Sequence, residues 1–194
     1  MPEKPRILAF AGSLRAASYN KMLAKIGVEA ARAAGAEVTY IDLLDFPMPI
    51  LNQDDELAHG LPENAKKLKQ LFISHHGFLI SSPEYNSSMS AALKNAIDWA
   101  SREETEDEPS LIAYTGKTCA LMSASPGALG GLRALVHVRS MLGNIGVHVI
   151  PDQVSVPKAH EAFNPDGSLK DERKQKSVAA LAGKLVEVTR KLSL

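Results

Sequence analysis

Residues 6–20 read Arg-Ile-Leu-Ala-Phe-Ala-Gly-Ser-Leu-Arg-Ala-Ala-Ser-Tyr-Asn and decide the fold class. The apolar run 6–11, which Gly12 closes, is typical of a β-strand buried on both faces. Residues 18–34 follow with apolar side chains at helical spacing, and Gly35 takes the position just past a helix C-terminus. Residues 36–42 alternate as a second strand. The opening of the chain therefore predicts strand, loop, helix, strand.

The same alternation continues through the remaining sequence. Further predicted strands cover 77–82, 117–123 and 147–150, and further predicted helices cover 63–76, 90–102, 132–145 and 168 onward. Ser168 is the expected cap of the last helix, with Asp171 at the capping-box distance. Residues 43–62 and 157–167 are expected to be loops, and the acidic stretch 103–108 a solvated loop.

Strands that alternate with helices predict a parallel sheet covered on both faces, an α/β fold built as a three-layer α/β/α sandwich. No repeat, low-complexity tract or linker divides the chain, so residues 1–194 are expected to form one domain.

Charge and composition exclude several classes of function. The chain carries 22 Lys+Arg against 22 Asp+Glu, so no basic excess favours nucleic acid as a partner. No apolar run reaches the length of a membrane-spanning helix, and the first residues lack the apolar segment of a signal peptide. The single cysteine, Cys119, fits a reducing compartment. We therefore predict a cytoplasmic protein without membrane insertion.

The first strand-to-helix loop carries donors suited to a phosphate monoester. In parallel sheets, ligands bind beyond the carboxyl ends of the strands. This loop offers backbone N–H groups at a helix N-terminus, the hydroxyls of Ser13 and Ser18, the amide of Asn20 and the guanidinium of Arg15. The alternative is that Ser18 only caps the helix and Arg15 only lies on the surface. The dinucleotide and Walker phosphate-binding patterns are both absent.

The loop after the third strand, residues 82–89, is expected to be stiff. Pro83 has a fixed φ and no N–H, so the turn can present the backbone N–H groups of Glu84, Tyr85 and Asn86 at set positions. The Tyr85 ring could cover a planar apolar ligand. The alternative is an ordinary loop whose Tyr85 packs on the sheet edge.

The loop after the fourth strand, residues 123–131, is rich in small residues. Such residues let the backbone approach a flat ligand closely. Ser125 lacks the Gly-x-Ser-x-Gly spacing of a nucleophile elbow. Together the three loops suit a ligand with one phosphate and a large, mostly apolar planar group.

Three motifs carry a resemblance to a known family. Gly-Ser-Leu-Arg-x-x-Ser-x-Asn begins at Gly12, Ser-Pro-Glu-Tyr-Asn at Ser82, and Leu-Lys-Asn-Ala-Ile-Asp-Trp at Leu93. In this order they resemble the NADPH-dependent FMN reductase family, most closely its bacterial NAD(P)H:quinone and chromate reductase branch. The resemblance spans about residues 6–150. It implies a flavodoxin-like five-stranded sheet of order 2-1-3-4-5, FMN bound non-covalently, and NADPH or NADH as electron donor.

The resemblance also implies roles for individual residues. Those that would bind the FMN phosphate are Ser13, Arg15, Ser18 and Asn20. Those that would surround the isoalloxazine ring are Pro83, Glu84, Tyr85, Asn86, Ser125 and Gly127. Glu84 is expected to act through its backbone, because a carboxylate beside reduced flavin is unfavourable. No catalytic side chain and no metal site are expected.

The implied reaction passes electrons through FMN to quinones, free flavin or similar small acceptors by a ping-pong mechanism. A homodimer or homotetramer is implied, with the flavin site near a subunit interface. Two alternatives stay open at this point, a flavodoxin-type electron carrier and an FMN-binding sensor without turnover. Electron carriers of that type usually dock through a strongly acidic face, and the zero net charge disfavours this alternative.

Overall fold

The computed structural model describes residues 4–192 of the chain. In that part, five strands form a single parallel sheet of order β2-β1-β3-β4-β5. The strands are β1 (Arg6–Ala11), β2 (Glu37–Asp42), β3 (Gly77–Ser81), β4 (Thr118–Ala124) and β5 (His148–Val156). The predicted parallel sheet and the flavodoxin-like strand order are both confirmed.

Helices cover both faces of the sheet. They are α1 (Tyr19–Ala33), α2 (Gln53–His59), α3 (Glu63–Ser74), α4 (Ala91–Ala100), α5 (Leu132–Asn144), α6 (Ala159–Ala162) and α7 (Glu172–Leu192), with a 3-10 turn at Leu43–Asp45. Helices α1 and α7 pack on one face, and α3, α4 and α5 on the other. Between residues 4 and 192, no helix is both long and apolar enough to cross a membrane.

Strand β1 shows why its sequence is apolar at every position. Ile7 and Ala9 pack into the core layer beneath α1 and α7. Leu8 and Phe10 pack into the opposite layer, beneath α3, α4 and α5. All four residues are fully buried, so the sheet has no face that contacts water along this strand.

The predicted loop 43–62 contains the short helix α2, which the sequence analysis missed. The side chain of Asn52 accepts a hydrogen bond from the N–H of Asp54, and acidic residues fill the first turn. Gly60, at a φ of 74°, ends the helix. These local caps stabilise a helix that has no buried face.

Strand β5 is longer than predicted. It runs past Ile150 to Val156 and includes Pro151, because β5 is the edge strand and the absent N–H of a proline there need not break the ladder. The pairing with β4 shifts between Cys119 and Leu121, which accommodates extra residues of β5.

The expected cap of the last helix is wrong. Helix α7 begins at Glu172, and Asp171 accepts the N–H groups of Arg173 and Lys174 at 2.8 and 3.3 Å. The Ser168 hydroxyl instead donates to Asp166 at 2.6 Å within the preceding turn. Ser168 therefore binds a nearer acceptor and does not cap α7, although the sequence pattern assigned it to that helix.

The acidic stretch 103–108 is a loop with residues 103–107 exposed, as predicted, but a buried lysine also attaches it to the rest of the domain. Lys69 of α3 is only 1% exposed, and its ammonium group donates to the carbonyl of Arg102 at 2.7 Å and to the carboxylate of Glu108. Glu104 lies 3.6 Å from the same ammonium group. A buried cation thus fixes the acidic segment to the body of the domain.

Candidate functional site

The three loops singled out in the sequence leave neighbouring strands at the same edge of the sheet. Strands β1, β3 and β4 are adjacent, with Ala11 opposite Ser81 and Ser81 opposite Met122. The ladder continues for one further bond on each side, from Gly12 N–H to the Ser81 carbonyl and from Ser82 N–H to the Met122 carbonyl. The loops therefore start side by side, as the position of a ligand site in such a sheet requires.

The first loop, residues 12–18, leaves its strongest donors unused. Ser18 occupies the N-cap position of α1, yet its hydroxyl makes no capping hydrogen bond and the first turn contains no acidic residue. The exposed guanidinium of Arg15 has no hydrogen-bond or ion-pair partner within residues 4–192. Ser13 is buried, and its hydroxyl lies 3.4 Å from the backbone nitrogen of Arg15. This arrangement offers positive potential and free donors to an anion.

Asn20 is placed differently from the other predicted phosphate ligands. Its side chain is buried against the ends of β3 and β4. Its carboxamide oxygen accepts hydrogen bonds from the Ser81 hydroxyl and from the Ala124 N–H, and its nitrogen donates to the Ala124 carbonyl, each at 2.9 Å. Most of its hydrogen-bonding capacity is therefore used inside the protein.

The second loop contains a tight reversal of the chain. Tyr85 and Ser88 exchange backbone hydrogen bonds at 2.9 and 3.0 Å. Asn86 and Ser87 between them have φ values of 51° and 66°, which are the positive angles of a type I′ turn. Strain of this kind in residues other than glycine concentrates at functional sites.

The Tyr85 side chain is largely open to solvent. It is 53% exposed at the start of the turn, which disfavours the alternative of a side chain packed on the sheet edge. On the other side of the turn, the Ser88 hydroxyl lies 2.9 Å from Nδ1 of His137 and so links the turn to α5.

The carboxylate of Glu84 is engaged with the start of α5. It accepts hydrogen bonds from the Arg133 side chain at 2.6 and 2.9 Å and from the N–H groups of Arg133 and Ala134 at 3.0 and 3.3 Å. Burial by itself raises the pKa of Glu84, but these hydrogen bonds and the Arg133 charge outweigh it and hold the pKa below its usual value. The carboxylate is therefore charged at neutral pH, and the Arg133 side chain and the N–H groups at the start of α5 compensate its negative charge.

The glycines of the third loop differ in how closely other atoms surround them. Gly130 and Gly131 have φ values of 62° and 88°, and a Cβ on Gly130 would lie 2.6 Å from the backbone nitrogen of Pro157. At exposed Gly127, by contrast, a Cβ would meet nothing closer than the Ser125 hydroxyl at 3.8 Å. Packing within the chain therefore requires the first two glycines, whereas Gly127 borders open space.

Two serines that support the site were missed in the sequence. The Ser90 hydroxyl accepts the N–H of Leu93 as the N-cap of α4 and donates to the Gly12 carbonyl at 2.5 Å, which fixes the start of the first loop. Ser81 holds Asn20. The helix-capping pattern could have identified Ser90 as a cap, but neither contact across the sheet edge has a local signal.

The donor set of this edge fits FMN. An unpartnered arginine and a free hydroxyl at the start of α1 match a phosphate monoester. The exposed Tyr85 and the open surface at Gly127 lie beyond neighbouring strands and match a planar ring system. Because the Glu84 carboxylate is bound to α5, it places no free negative charge among these groups.

Comparisons with known proteins show which family the chain is similar to. The model of the NADPH-dependent FMN reductase family matches residues 5–161. An NAD(P)H-dependent FMN reductase of Pseudomonas aeruginosa is 32% identical over 174 residues, 89% of each chain. An NADPH:quinone oxidoreductase of Arabidopsis thaliana is 32% identical over 174 residues, 86% of this chain and 83% of its own.

A solved structure matches over nearly the whole length. FerB, a flavoenzyme NAD(P)H:(acceptor) oxidoreductase of Paracoccus denitrificans, superimposes with a TM-score of 0.79 and 29% identity, covering 96% of this chain and 98% of that one. The chain therefore belongs to the NADPH-dependent FMN reductase family, and it is an oxidoreductase that uses FMN and NAD(P)H.

Proposed function

We propose that the chain binds FMN at the three-loop edge and passes reducing equivalents from NADPH or NADH through it to quinones, free flavin or similar small acceptors. The observation that carries this proposal is the unpartnered Arg15 guanidinium beside the uncapped first turn of α1. It lies at the same sheet edge as the strained turn that follows β3. The names of the Pseudomonas and Arabidopsis relatives support the choice of acceptor class.

The phosphate would be held by the first loop. Arg15 supplies a full positive charge, while Ser13 and Ser18 supply short neutral donors. The N–H groups of the first turn of α1, a helix of 15 residues, add the positive end of its dipole. A dianion placed here gains these donors without displacing any internal ion pair.

The ring would be held mainly by backbone atoms of the other two loops. In the second loop, Pro83, Tyr85 and Asn86 would contact it, together with the backbone of Glu84, and Ser125 and Gly127 would do so in the third. FMN, when bound, supplies the redox chemistry by accepting a hydride from the nicotinamide and returning electrons to the acceptor. The chain's own task is to aim N–H donors at the part of the ring that becomes negative on reduction.

No side chain of the site needs to transfer a proton in this proposal. The Glu84 carboxylate already has four hydrogen-bond contacts with α5. Its role is to hold the second loop against α5, which keeps the backbone N–H groups of that loop in position.

A ping-pong mechanism is proposed because donor and acceptor would use one exposed face of the ring in turn. Initial rates measured against both substrates should then give parallel double-reciprocal lines. Intersecting lines would indicate a ternary complex and would contradict this part of the proposal.

A homodimer or homotetramer is proposed as the working assembly. Three large apolar side chains are exposed in the third loop and on α5, namely Leu129, Leu132 and Val136. Light scattering of the purified protein should give a mass of two or four chains, and a monomer at micromolar concentration would contradict it. The cytoplasmic location stays a prediction.

The test of the proposed function is FMN binding by wild-type protein and by Arg15→Ala. Wild type should bind one FMN per chain and oxidise NADPH when a quinone is added. Arg15→Ala should weaken FMN binding by about 1.5–3 kcal/mol, the value of a hydrogen bond to a charged group. Arg190→Ala is the matched control, because Arg190 lies near Gly35 at the opposite end of α1.

Two outcomes would contradict the proposal. If Arg15→Ala binds FMN as well as Arg190→Ala does, the phosphate is not held by the first loop. If the wild-type protein binds FMN but oxidises neither NADPH nor NADH with any acceptor, it is an electron carrier rather than a reductase.

A further inference from the structure

We infer that Asn20 is a positioning residue that joins the three site loops to one another, rather than a principal ligand of the FMN phosphate. The part of this inference that concerns flavin rests on the proposed function. The part that concerns the loops can be tested on flavin-free protein.

The hydrogen bonds of Asn20 connect three separate segments. Asn20 is the second residue of α1 and is 3% exposed. Ser81, which donates to its oxygen, is the last residue of β3. Ala124, whose N–H and carbonyl both bond to the carboxamide, is the last residue of β4. One side chain therefore binds the end of the first loop to the starts of the second and third.

The Asn20 carboxamide pairs with backbone groups of β4 that have no partner on β3. Along β4, the ladder with β3 ends where Ser81 lies opposite Met122 and Ser82 donates to the Met122 carbonyl. The chain then turns away at Pro83, so the N–H and carbonyl of Ala124 would have no partner from β3. Buried backbone groups without partners are costly, and Asn20 satisfies both of them.

Few hydrogen-bonding positions of Asn20 remain for a ligand. A carboxamide has two acceptor sites on oxygen and two N–H donors. Ser81 and Ala124 use both acceptor sites, and the Ala124 carbonyl uses one donor. One N–H is left to face a phosphate, whereas the whole guanidinium of Arg15 is free. The charge of the phosphate is thus held by Arg15, and Asn20 determines where the loop lies.

The first loop is consequently fixed at both ends. At its start, the Gly12 carbonyl accepts from Ser90 and the Gly12 N–H donates to Ser81. At its end, Asn20 binds Ser81 and Ala124. Loss of Asn20 should let the start of α1 shift relative to the 82–89 turn, which changes the distance between the phosphate donors and the ring-binding loops.

Hydrogen–deuterium exchange of flavin-free protein tests the connection directly. Asn20→Ala should speed amide exchange in all three loops, 12–18, 82–89 and 125–131. Arg15→Ala should leave exchange in 82–89 and 125–131 as in wild type. If Asn20→Ala does not fold, Ser81→Ala removes one of the three hydrogen bonds at almost unchanged volume and should show the same pattern at smaller amplitude. Acceleration confined to 12–18 in these variants would overturn the inference.

Comparison of FMN with riboflavin then separates positioning from phosphate binding. The two ligands share the ring and differ in the phosphate. Asn20→Ala should weaken both by the same factor, about tenfold or more, and leave the ratio of their affinities within about twofold of wild type. Arg15→Ala should lower that ratio. The visible circular dichroism of bound FMN, which reports the ring environment, should change in Asn20→Ala and Ser81→Ala but not in Arg15→Ala.

Two results of the flavin comparison would count against one part of the inference or of the proposed function. If Asn20→Ala lowers the FMN-to-riboflavin ratio as much as Arg15→Ala does, with riboflavin binding unchanged, Asn20 is a phosphate ligand. If wild-type protein binds neither flavin, the proposed function fails, and the exchange data on flavin-free protein still decide whether Asn20 joins the loops.

Discussion

Replacing Glu108 with glutamine should destabilise the protein more than replacing Lys69 with methionine, although each change removes the same ion pair. The difference arises from burial. Lys69 is 1% exposed, whereas the side chains of Glu108 and Glu104 are 16% and 25% exposed. The cation has no route to water without unfolding of the segment, and the carboxylates have a partial one.

The two costs follow from what each variant leaves behind. In Glu108→Gln the ammonium group stays buried among neutral acceptors, which are the Arg102 carbonyl at 2.7 Å and the new amide oxygen, and Glu104 at 3.6 Å is the carboxylate that remains. Removing one member of a buried pair costs about 3–5 kcal/mol, and Glu104 should keep this case near about 3 kcal/mol. In Lys69→Met the charge itself is gone and the carboxylates can turn towards water. The main loss is then one hydrogen bond to a carbonyl, so we expect about 1–2 kcal/mol.

Urea unfolding of flavin-free protein at pH 7 measures both variants, and the fluorescence of the single tryptophan, Trp99, which is buried, reports the transition. Lys66→Met is the matched control on the same helix. Its pair with Glu63 is exposed and 3.5 Å long, so it should change the free energy of unfolding by less than about 0.5 kcal/mol. If Lys69→Met costs as much as Glu108→Gln, burial of the cation is not what fixes the acidic segment.

Three further predictions concern the loops of the site. Ser87→Gly should stabilise the protein by about 0.5–1 kcal/mol in urea unfolding, because glycine removes the strain of a φ of 66° and loses part of that gain to chain entropy; destabilisation would contradict it. Gly131→Ala should cost at least about 3 kcal/mol, since its Cβ would lie 1.8 Å from the Ser123 hydroxyl at a φ of 88°, and adding Ser123→Ala should restore part of the loss. Glu84→Gln should cost about 1–2 kcal/mol at pH 7. Because the folded protein lowers the pKa of Glu84 below its ordinary value of 4.5, the stabilisation by the Glu84 carboxylate is present above pH 4.5 and is lost as the pH falls through the lowered pKa. The difference in stability between wild type and Glu84→Gln should therefore shrink in acid, and a difference that grows in acid would contradict the prediction.

Local patterns predicted the sheet but not its edges. The segment 6–42 folds as predicted because β1 is apolar on both faces, β2 alternates, and Gly35 follows the end of α1, all of which are properties of neighbouring residues. The extension of β5 through Pro151 could not be predicted in the same way. It depends on β5 being an edge strand, and that is a property of the whole sheet.

The candidate site shows the same division. The loop positions and the free donor Arg15 follow from a short motif after a strand. The contacts of Asn20 reach residues 61 and 104 positions away, and the carboxylate of Glu84 reaches a helix 49 positions away. Nothing in the sequence near Asn20 distinguishes an amide that binds phosphate from one that completes a sheet, because that depends on where β3 ends.

Anaerobic titration of the purified, FMN-loaded protein with NADPH tests the central claim most directly. We predict one FMN per chain, loss of the visible absorption band of oxidised flavin on addition of NADPH, and its return when a quinone is added without oxygen. A protein that ignores added FMN, or whose bound FMN keeps its absorption band in excess NADPH and NADH, would contradict the account.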